Sequence, residues 1–185
     1  MRLKLRSLSS HLIKRPELLF VLIAIPFGLV SAAIVPQISI TDENSHLLRI
    51  HQLSRGEMVC RVGTTYPGEV IDKSKTGDNG GREYTRDFSD RIDMPEQAFR
   101  CGSAAGYSLL AYLPQVIGAI FAQLIHPTAA SIVLFARIFS LLFYVGAVYF
   151  IIKWVKAGKY VFFVVALIPQ MIHLAASLSA DMMNN

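Results

Sequence analysis

Long apolar stretches, separated by polar connections, dominate the hydropathy pattern of this chain. A helix crossing the roughly 30 Å hydrocarbon core of a bilayer takes about 20 apolar residues. Three stretches meet that length, and a fourth, 107–126, is interrupted by Pro114 and Gln115. The pattern therefore predicts an all-α, polytopic membrane protein.

The pattern also divides the chain into successive segments. The predicted order is a basic N-terminus (1–17), a transmembrane helix (18–36), an extracytoplasmic loop (37–106), an interfacial or re-entrant helix (107–126), a transmembrane helix (127–152), a cytoplasmic loop (153–159), a transmembrane helix (160–180) and the start of a second external loop (181–185).

Composition agrees with this division. Of the 185 residues, 53% are hydrophobic, and the mean hydropathy of +0.44 is too high for an ordinary soluble domain. The formal net charge of +5 comes from basic residues at the flanks of the apolar stretches. Because they form no stripe with interleaved aromatic residues, they indicate membrane topology and argue against nucleic-acid binding.

The charges at the flanks predict an orientation. Five basic residues with no acid among them precede the first span, and three lysines lie in the connection 153–159, so both segments are expected in the cytoplasm. The last span then runs outward and delivers Asp181 to the outer face, provided that 107–126 does not cross. In the alternative topology, 107–126 crosses the membrane fully, His126 and Pro127 form a turn on the inner side, and Asp181 lies inside.

The two ends of the chain allow further interpretations. The first span resembles a signal peptide in its basic flank and small residues, but its long apolar run with Pro26 and Gly28 favours an uncleaved anchor. The chain stops at Asn185, soon after an acidic residue at a span end. We therefore expect it to be the N-terminal part of a larger protein.

Two cysteines, Cys60 and Cys101, fall in the external loop. Outside the cytoplasm such a pair can close a disulfide that would stabilise a loop poor in apolar residues. The alternative is two unpaired thiols, since one possible pairing defines no geometry.

A group of polar residues follows the first span. The segment 40–56 predicts a short helix with Thr41 as its cap, and His46 lies four residues from Asp42 and three from Glu43. The imidazole could therefore orient a carboxylate that acts as a general base, or share a divalent cation with it. The alternative is that both acids only favour the positive end of the helix dipole.

Two further charged residues lie at or within later spans. Asp181 ends the last span, and the favoured orientation brings it to the same face as Asp42 and Glu43. Arg137 lies inside an apolar stretch, where it either extends to the interface or binds an anionic lipid headgroup. His173, within the last span, is a candidate polar contact between helices.

Several segments together carry a family resemblance. They are residues 40–49 (ITDENSHLLR), 52–56 (QLSRG), Tyr107, 112–114 (YLP), 136–137 (AR), Pro169 and 175–181 (AASLSAD). In these segments the chain resembles a large family of uncharacterised bacterial multi-pass membrane proteins, which is itself similar to the GT-C glycosyltransferases. The resemblance covers nearly all of the chain.

The resemblance implies a function and a set of site residues. In GT-C enzymes, acids in the first and second external loops act on the acceptor or a metal. By that resemblance, Asp42, Glu43 and Asp181 are the catalytic candidates, and Asp42 and Asp181 are candidate ligands of Mg²⁺ or Mn²⁺. Arg137 and His46 are the substrate-binding candidates, with Arg137 near the carrier phosphate.

The expectation is therefore a glycosyltransferase in the bacterial plasma membrane, with its N-terminus in the cytoplasm. It would transfer a sugar from a polyprenyl-phosphate carrier, embedded among membrane lipids, to a cell-surface glycan acceptor, and this fragment would be inactive alone. The alternatives are a transporter or flippase component with a polar path through the bilayer, and a structural membrane subunit.

Overall fold

The structure is a computed structural model that describes residues 15–36, 42–58 and 103–180. Its helices are α1 (Pro16–Ile34), α2 (Glu43–Ser54), α3 (Leu109–Ile125), α4 (Ala129–Trp154), α5 (Lys159–Ala166) and α6 (Pro169–Ala175), with a 3₁₀ turn at Ser103–Gly106. No strand occurs within these ranges. The predicted all-α membrane fold is confirmed.

Two helices are long and apolar enough to cross a membrane. They are α1, with 19 residues and a mean hydropathy of 2.3, and α4, with 26 residues and a mean hydropathy of 2.1. Pro26 lies inside α1 without ending it. Helix α3 is also apolar, but its 17 residues are fewer than a perpendicular crossing usually takes.

The stretch 160–180 differs from the single helix that we predicted. Helix α5 ends at Ala166 and α6 begins at Pro169, whose nitrogen has no hydrogen to donate to the preceding turn. The Tyr144 hydroxyl donates a hydrogen bond of 2.8 Å to the carbonyl oxygen of Ala166, which satisfies an acceptor at the break. The prediction of one continuous helix is therefore wrong, and Pro169 is the physical reason.

Helices α1 and α4 pack antiparallel. Phe20, near the start of α1, makes an edge-to-face contact with Tyr144, whereas Val35, just after α1, accepts a hydrogen bond from Arg137. Between these points Gly28 lies directly against Leu141. The C-terminal end of α4 and the lysine-rich connection after it therefore lie at the end of the bundle where α1 begins.

Helix α3 forms an antiparallel hairpin with α4. Gln115 contacts Ser140 and Phe121 contacts Phe135, so the turn at 126–128 lies where α4 begins. Because α1 and α4 are antiparallel, α1 ends at the end of the bundle where α4 begins, and the turn lies there too. In the favoured orientation the turn lies at this end of the bundle, whereas the alternative with an inner turn at His126 put it at the other end. The side of the membrane on which this end lies stays a prediction.

Close packing of α3 on α4 depends on Gly118. A Cβ atom at this position would lie 2.5 Å from the carbonyl oxygen of Phe135, which belongs to the α4 backbone. The backbone cannot yield as a flexible side chain would, and small residues permit such close approach of membrane helices.

Replacing Gly118 by alanine is therefore expected to destabilise the bundle by about 1–3 kcal/mol, because the added methyl group forces the two helices apart. The measurement is thermal unfolding of the purified protein in detergent. Gly146→Ala is the matched control, since a Cβ there meets nothing within 4 Å. Equal stability of the Gly118 and Gly146 variants would contradict the close approach.

Candidate functional site

Helix α2 lies against the hairpin of α3 and α4. Leu47 and Ile50 are fully buried in one apolar cluster with Tyr112 of α3. At the other end of α2, the Gln123 side-chain amide donates a hydrogen bond of 2.8 Å to the Ser54 hydroxyl. The helix is therefore held along its length on the hairpin. We predicted a helix over 40–56, and α2 occupies 43–54 of that range.

The first residue of α2 makes a buried ion pair with α4. The Nε and Nη2 atoms of Arg137 donate to one Glu43 oxygen, Oε1, at 3.0 and 2.6 Å. Arg137 is fully buried, and Glu43 is 1% exposed. The second Glu43 oxygen, Oε2, is buried without a hydrogen-bond partner within the described ranges.

The remaining donors of Arg137 close the end of α1. Its Nη1 atom donates to the carbonyl oxygens of Val35 at 2.7 Å and Ala32 at 3.4 Å, and Nη2 also donates to that of Pro36 at 3.1 Å. Cations interact favourably with the carbonyl groups at a helix C-terminus. All five N–H groups of Arg137 are thus directed at protein acceptors.

This arrangement differs from both interpretations of Arg137 that the sequence allowed. Its guanidinium neither extends to an open surface nor offers an N–H group to a lipid phosphate, because Glu43 and the α1 carbonyls occupy its donors. The sequence could not reveal this pairing, since Glu43 and Arg137 are 94 residues apart.

Asp42 is the N-cap residue of α2, in place of the predicted Thr41, which lies outside the described residues. Its φ angle of +62° lies in the left-handed region. Among the described residues, Asp42 is the non-glycine residue with a positive φ. Asp42 is exposed, and its side chain makes no capping hydrogen bond. Capping therefore does not explain this carboxylate, and residues held in sparsely populated backbone regions cluster at functional sites.

His46 lies one turn into α2 and is 5% exposed. Its Nδ1 atom forms a hydrogen bond of 2.6 Å with the Tyr112 hydroxyl, and its ring also packs beside Tyr107. The sequence allowed the imidazole to lie beside the carboxylate of Asp42 or Glu43. The hydrogen bond between His46 and Asp42 joins backbone groups, with the His46 N–H donating to the Asp42 carbonyl oxygen at 3.1 Å. The sequence did not predict Tyr112 as a partner of His46, because the two residues are 66 positions apart.

The segment that leads to Asp181 packs against the same part of the bundle. Ala180 is buried in the cluster that contains Leu47 of α2. The Gln115 amide donates to the Ser179 carbonyl oxygen at 3.4 Å. Asp181 itself lies outside the described residues, as do Cys60 and Cys101 with their predicted disulfide.

His173 makes the contact between helices that the sequence predicted. Its Nδ1 atom lies 3.0 Å from the Ser31 hydroxyl oxygen, which joins α6 to the last turn of α1. This bond helps to hold the broken segment α5–α6 beside the first span.

The described residues do not form a complete site for a divalent cation, and Asp181, the second predicted ligand, lies outside them. Residues 15–36, 42–58 and 103–180 contain no group of three or more histidine, cysteine, aspartate or glutamate side chains placed to hold a metal ion. Asp42 offers a carboxylate, but the neighbouring Glu43 already faces the Arg137 cation. We therefore assign no chemical step to Mg²⁺ or Mn²⁺.

The fold and the site together define an all-α membrane protein, in which a short helix with an exposed aspartate is fixed at one end of the bundle by a buried ion pair. The chain belongs to the family described as "predicted membrane protein (DUF2142)", which matches residues 25–185. No curated protein and no solved structure matches the chain. Membership of an uncharacterised membrane protein family, expected from the sequence, is confirmed.

Proposed function

We propose that the protein is a GT-C-like glycosyltransferase of the bacterial plasma membrane, which transfers a sugar from a polyprenyl-phosphate carrier to a cell-surface glycan. The observation that carries the proposal is Asp42. Its carboxylate is exposed, makes no capping bond, and sits on a left-handed residue beside the buried Glu43–Arg137 pair. A general base requires such an accessible and fixed carboxylate.

In the proposed reaction, Asp42 accepts the proton of the acceptor hydroxyl. The acceptor oxygen forms a bond to the anomeric carbon of the sugar from the face opposite the carrier. The bond between that carbon and the carrier phosphate breaks at the same time, and the phosphate leaves with the electron pair. This single displacement inverts the configuration of the anomeric carbon.

The other site residues support Asp42. Glu43 and Arg137 position it, because their ion pair anchors the first turn of α2 to α1 and α4. His46 holds α2 on α3 through Tyr112. We retain Asp181 as the second acid, since Ala180, the preceding residue, is buried in the cluster that includes Leu47 of α2.

The proposed orientation places α2 outside the cell and the connection after α4 in the cytoplasm. In a background with serine at both native cysteine positions, Met58→Cys is expected to react with a membrane-impermeant maleimide on intact cells, because Met58 is 65% exposed. Lys156→Cys, also exposed, is the matched control and is expected to react only after permeabilisation. The reverse labelling pattern would place α2 on the side opposite to the carrier sugars.

The function is tested by sugar transfer in membranes that contain the protein. A labelled polyprenyl-phosphate sugar is supplied, and labelled glycan is expected with the wild-type protein and not with Asp42→Asn. Labelled glycan formed equally by both proteins would exclude Asp42 as the base. A structural subunit would yield no product with either protein, and a flippase would move the labelled carrier between leaflets without forming product.

A further inference from the structure

Arg49, on α2, is a second buried arginine, with surroundings unlike those of Arg137. It is 8% exposed, and its Nη1 atom donates to the side-chain oxygen of Gln52 at 2.9 Å and the carbonyl oxygen of Met58 at 3.3 Å. Neither acceptor carries a charge. The ion pair within the described ranges that involves a buried arginine is that of Arg137 with Glu43.

On one side of the Arg49 guanidinium, the Nε and Nη2 atoms have no acceptor among the described residues. Nε is buried without a hydrogen-bond partner in the described chain, and both hydrogen bonds of the guanidinium to described residues come from Nη1. In Arg137 the corresponding side, Nε with Nη2, holds the carboxylate oxygen of Glu43. This pair of parallel donors is what arginine offers to carboxylate and phosphate groups.

A buried cation without a counter-charge is unfavourable, since arginine is almost never fully buried unless paired. An anion bound at Nε and Nη2 would remove that cost. Arg49 also lies two helical turns, about 10 Å, along α2 from Asp42, so an anion there would be near the proposed base.

We propose that Arg49 binds a phosphate group through its Nε and Nη2 atoms, and that this is the phosphate of the lipid carrier. The identification of the carrier rests on the proposed function, whereas the phosphate site rests on Arg49 alone. Gln52 and Met58 act as positioning groups, because they fix Nη1 and so orient the opposite side of the guanidinium.

The test is thermal unfolding of the purified protein in detergent with three additives: a polyprenyl phosphate, the corresponding polyprenol, and inorganic phosphate. We expect the polyprenyl phosphate to raise the Tm of the wild type by about 3–6 °C, and the uncharged polyprenol to have no effect. Arg49→Gln is expected to lose this rise, with binding at least about tenfold weaker. Arg55→Gln, which removes the same charge from the end of α2, is expected to retain it.

The additives separate the two sources of phosphate. An equal, Arg49-dependent rise with inorganic phosphate would support the phosphate site and assign it to a soluble ligand. A rise that persists in Arg49→Gln, or no rise with either phosphate additive in the wild type, would overturn the proposal.

Two further variants distinguish phosphate binding by Arg49 from a purely structural role of its side chain. Arg49→Lys keeps the charge but loses the paired donors, so we expect a folded protein with a smaller rise in Tm. Arg49→Met is expected to be at least as stable as the wild type without additives, because it removes an unpaired buried charge. A lower Tm of Arg49→Met with the full rise in Arg49→Lys would show that the guanidinium serves only the fold.

This test is independent of sugar transfer. Asp42→Asn is expected to keep the rise in Tm, because the amide leaves Arg49 untouched. A rise in Tm that depends on Arg49 would therefore support the phosphate site even if sugar transfer proved independent of Asp42. Sugar transfer that depends on Asp42, without an Arg49-dependent rise in Tm, would support Asp42 as the base and exclude the phosphate site.

Discussion

Arg137→Met is expected to destabilise the protein by about 3–5 kcal/mol, which would be among the largest effects of any single substitution in the chain. The change leaves the Glu43 carboxylate, 1% exposed, without its cation. It also removes the hydrogen bonds to the carbonyl oxygens of Ala32, Val35 and Pro36 that close α1. The measurement is the free energy of unfolding in detergent.

A double-mutant cycle shows whether the pair is the cause. Glu43→Leu alone is expected to cost a similar amount, because it leaves the guanidinium buried without its counter-charge. The double variant is expected to recover much of the loss, since apolar residues of similar volume often replace a buried ion pair without penalty. Lys153→Met, at an exposed position of α4, is the matched control and should change stability by less than about 0.5 kcal/mol. Additive effects of the two single substitutions would contradict the pairing.

Asp42→Asn is expected to lower the rate of sugar transfer by about 10²–10⁴-fold, the range for loss of a general base. The fold should be unaffected, because asparagine tolerates the left-handed conformation that φ of +62° imposes and the side chain makes no capping bond to lose. The measurement pairs the transfer rate with the Tm of the same preparation.

Asp42→Gly sharpens this test. Glycine adopts positive φ without steric cost, so we expect the glycine variant to be as stable as the wild type or slightly more so, and as inactive as Asp42→Asn. Stability and activity would then move independently, as expected for a residue held in its conformation for function. A helix-capping role predicts the opposite result, with lower stability and unchanged transfer.

Much of the bundle could be predicted because membrane helices are encoded locally. The apolar stretches predicted α1 and α4 to within a few residues, since a bilayer requires continuous apolar length. The short helix α2 was also predicted, three residues too long at its start and two at its end. The break before Pro169 was not predicted, because proline is tolerated in membrane helices such as α1 and its effect depends on neighbouring groups.

The candidate site was predicted only in part. Asp42 and Glu43 were singled out by position, and both were catalytic candidates, whereas the structure exposes the first and buries the second. This division follows from the start of α2, which turns one side chain outward and the next toward α4. The Nε atom of Arg49, which has no partner among the described residues, had no sequence signal, since a missing partner shows only in the positions of surrounding residues.

The sequence by itself determined the class of protein, the helices and the acidic candidates, because these depend on apolar length and on residue type along a continuous stretch. The tertiary structure alone decided which charges are neutralised. Glu43 and Arg137 are 94 residues apart and meet through the packing of α1, α2 and α4. Arg49 is also buried, but it has no carboxylate partner among the described residues. The electrostatic state of a buried group depends on its neighbours in space, so local sequence cannot supply it.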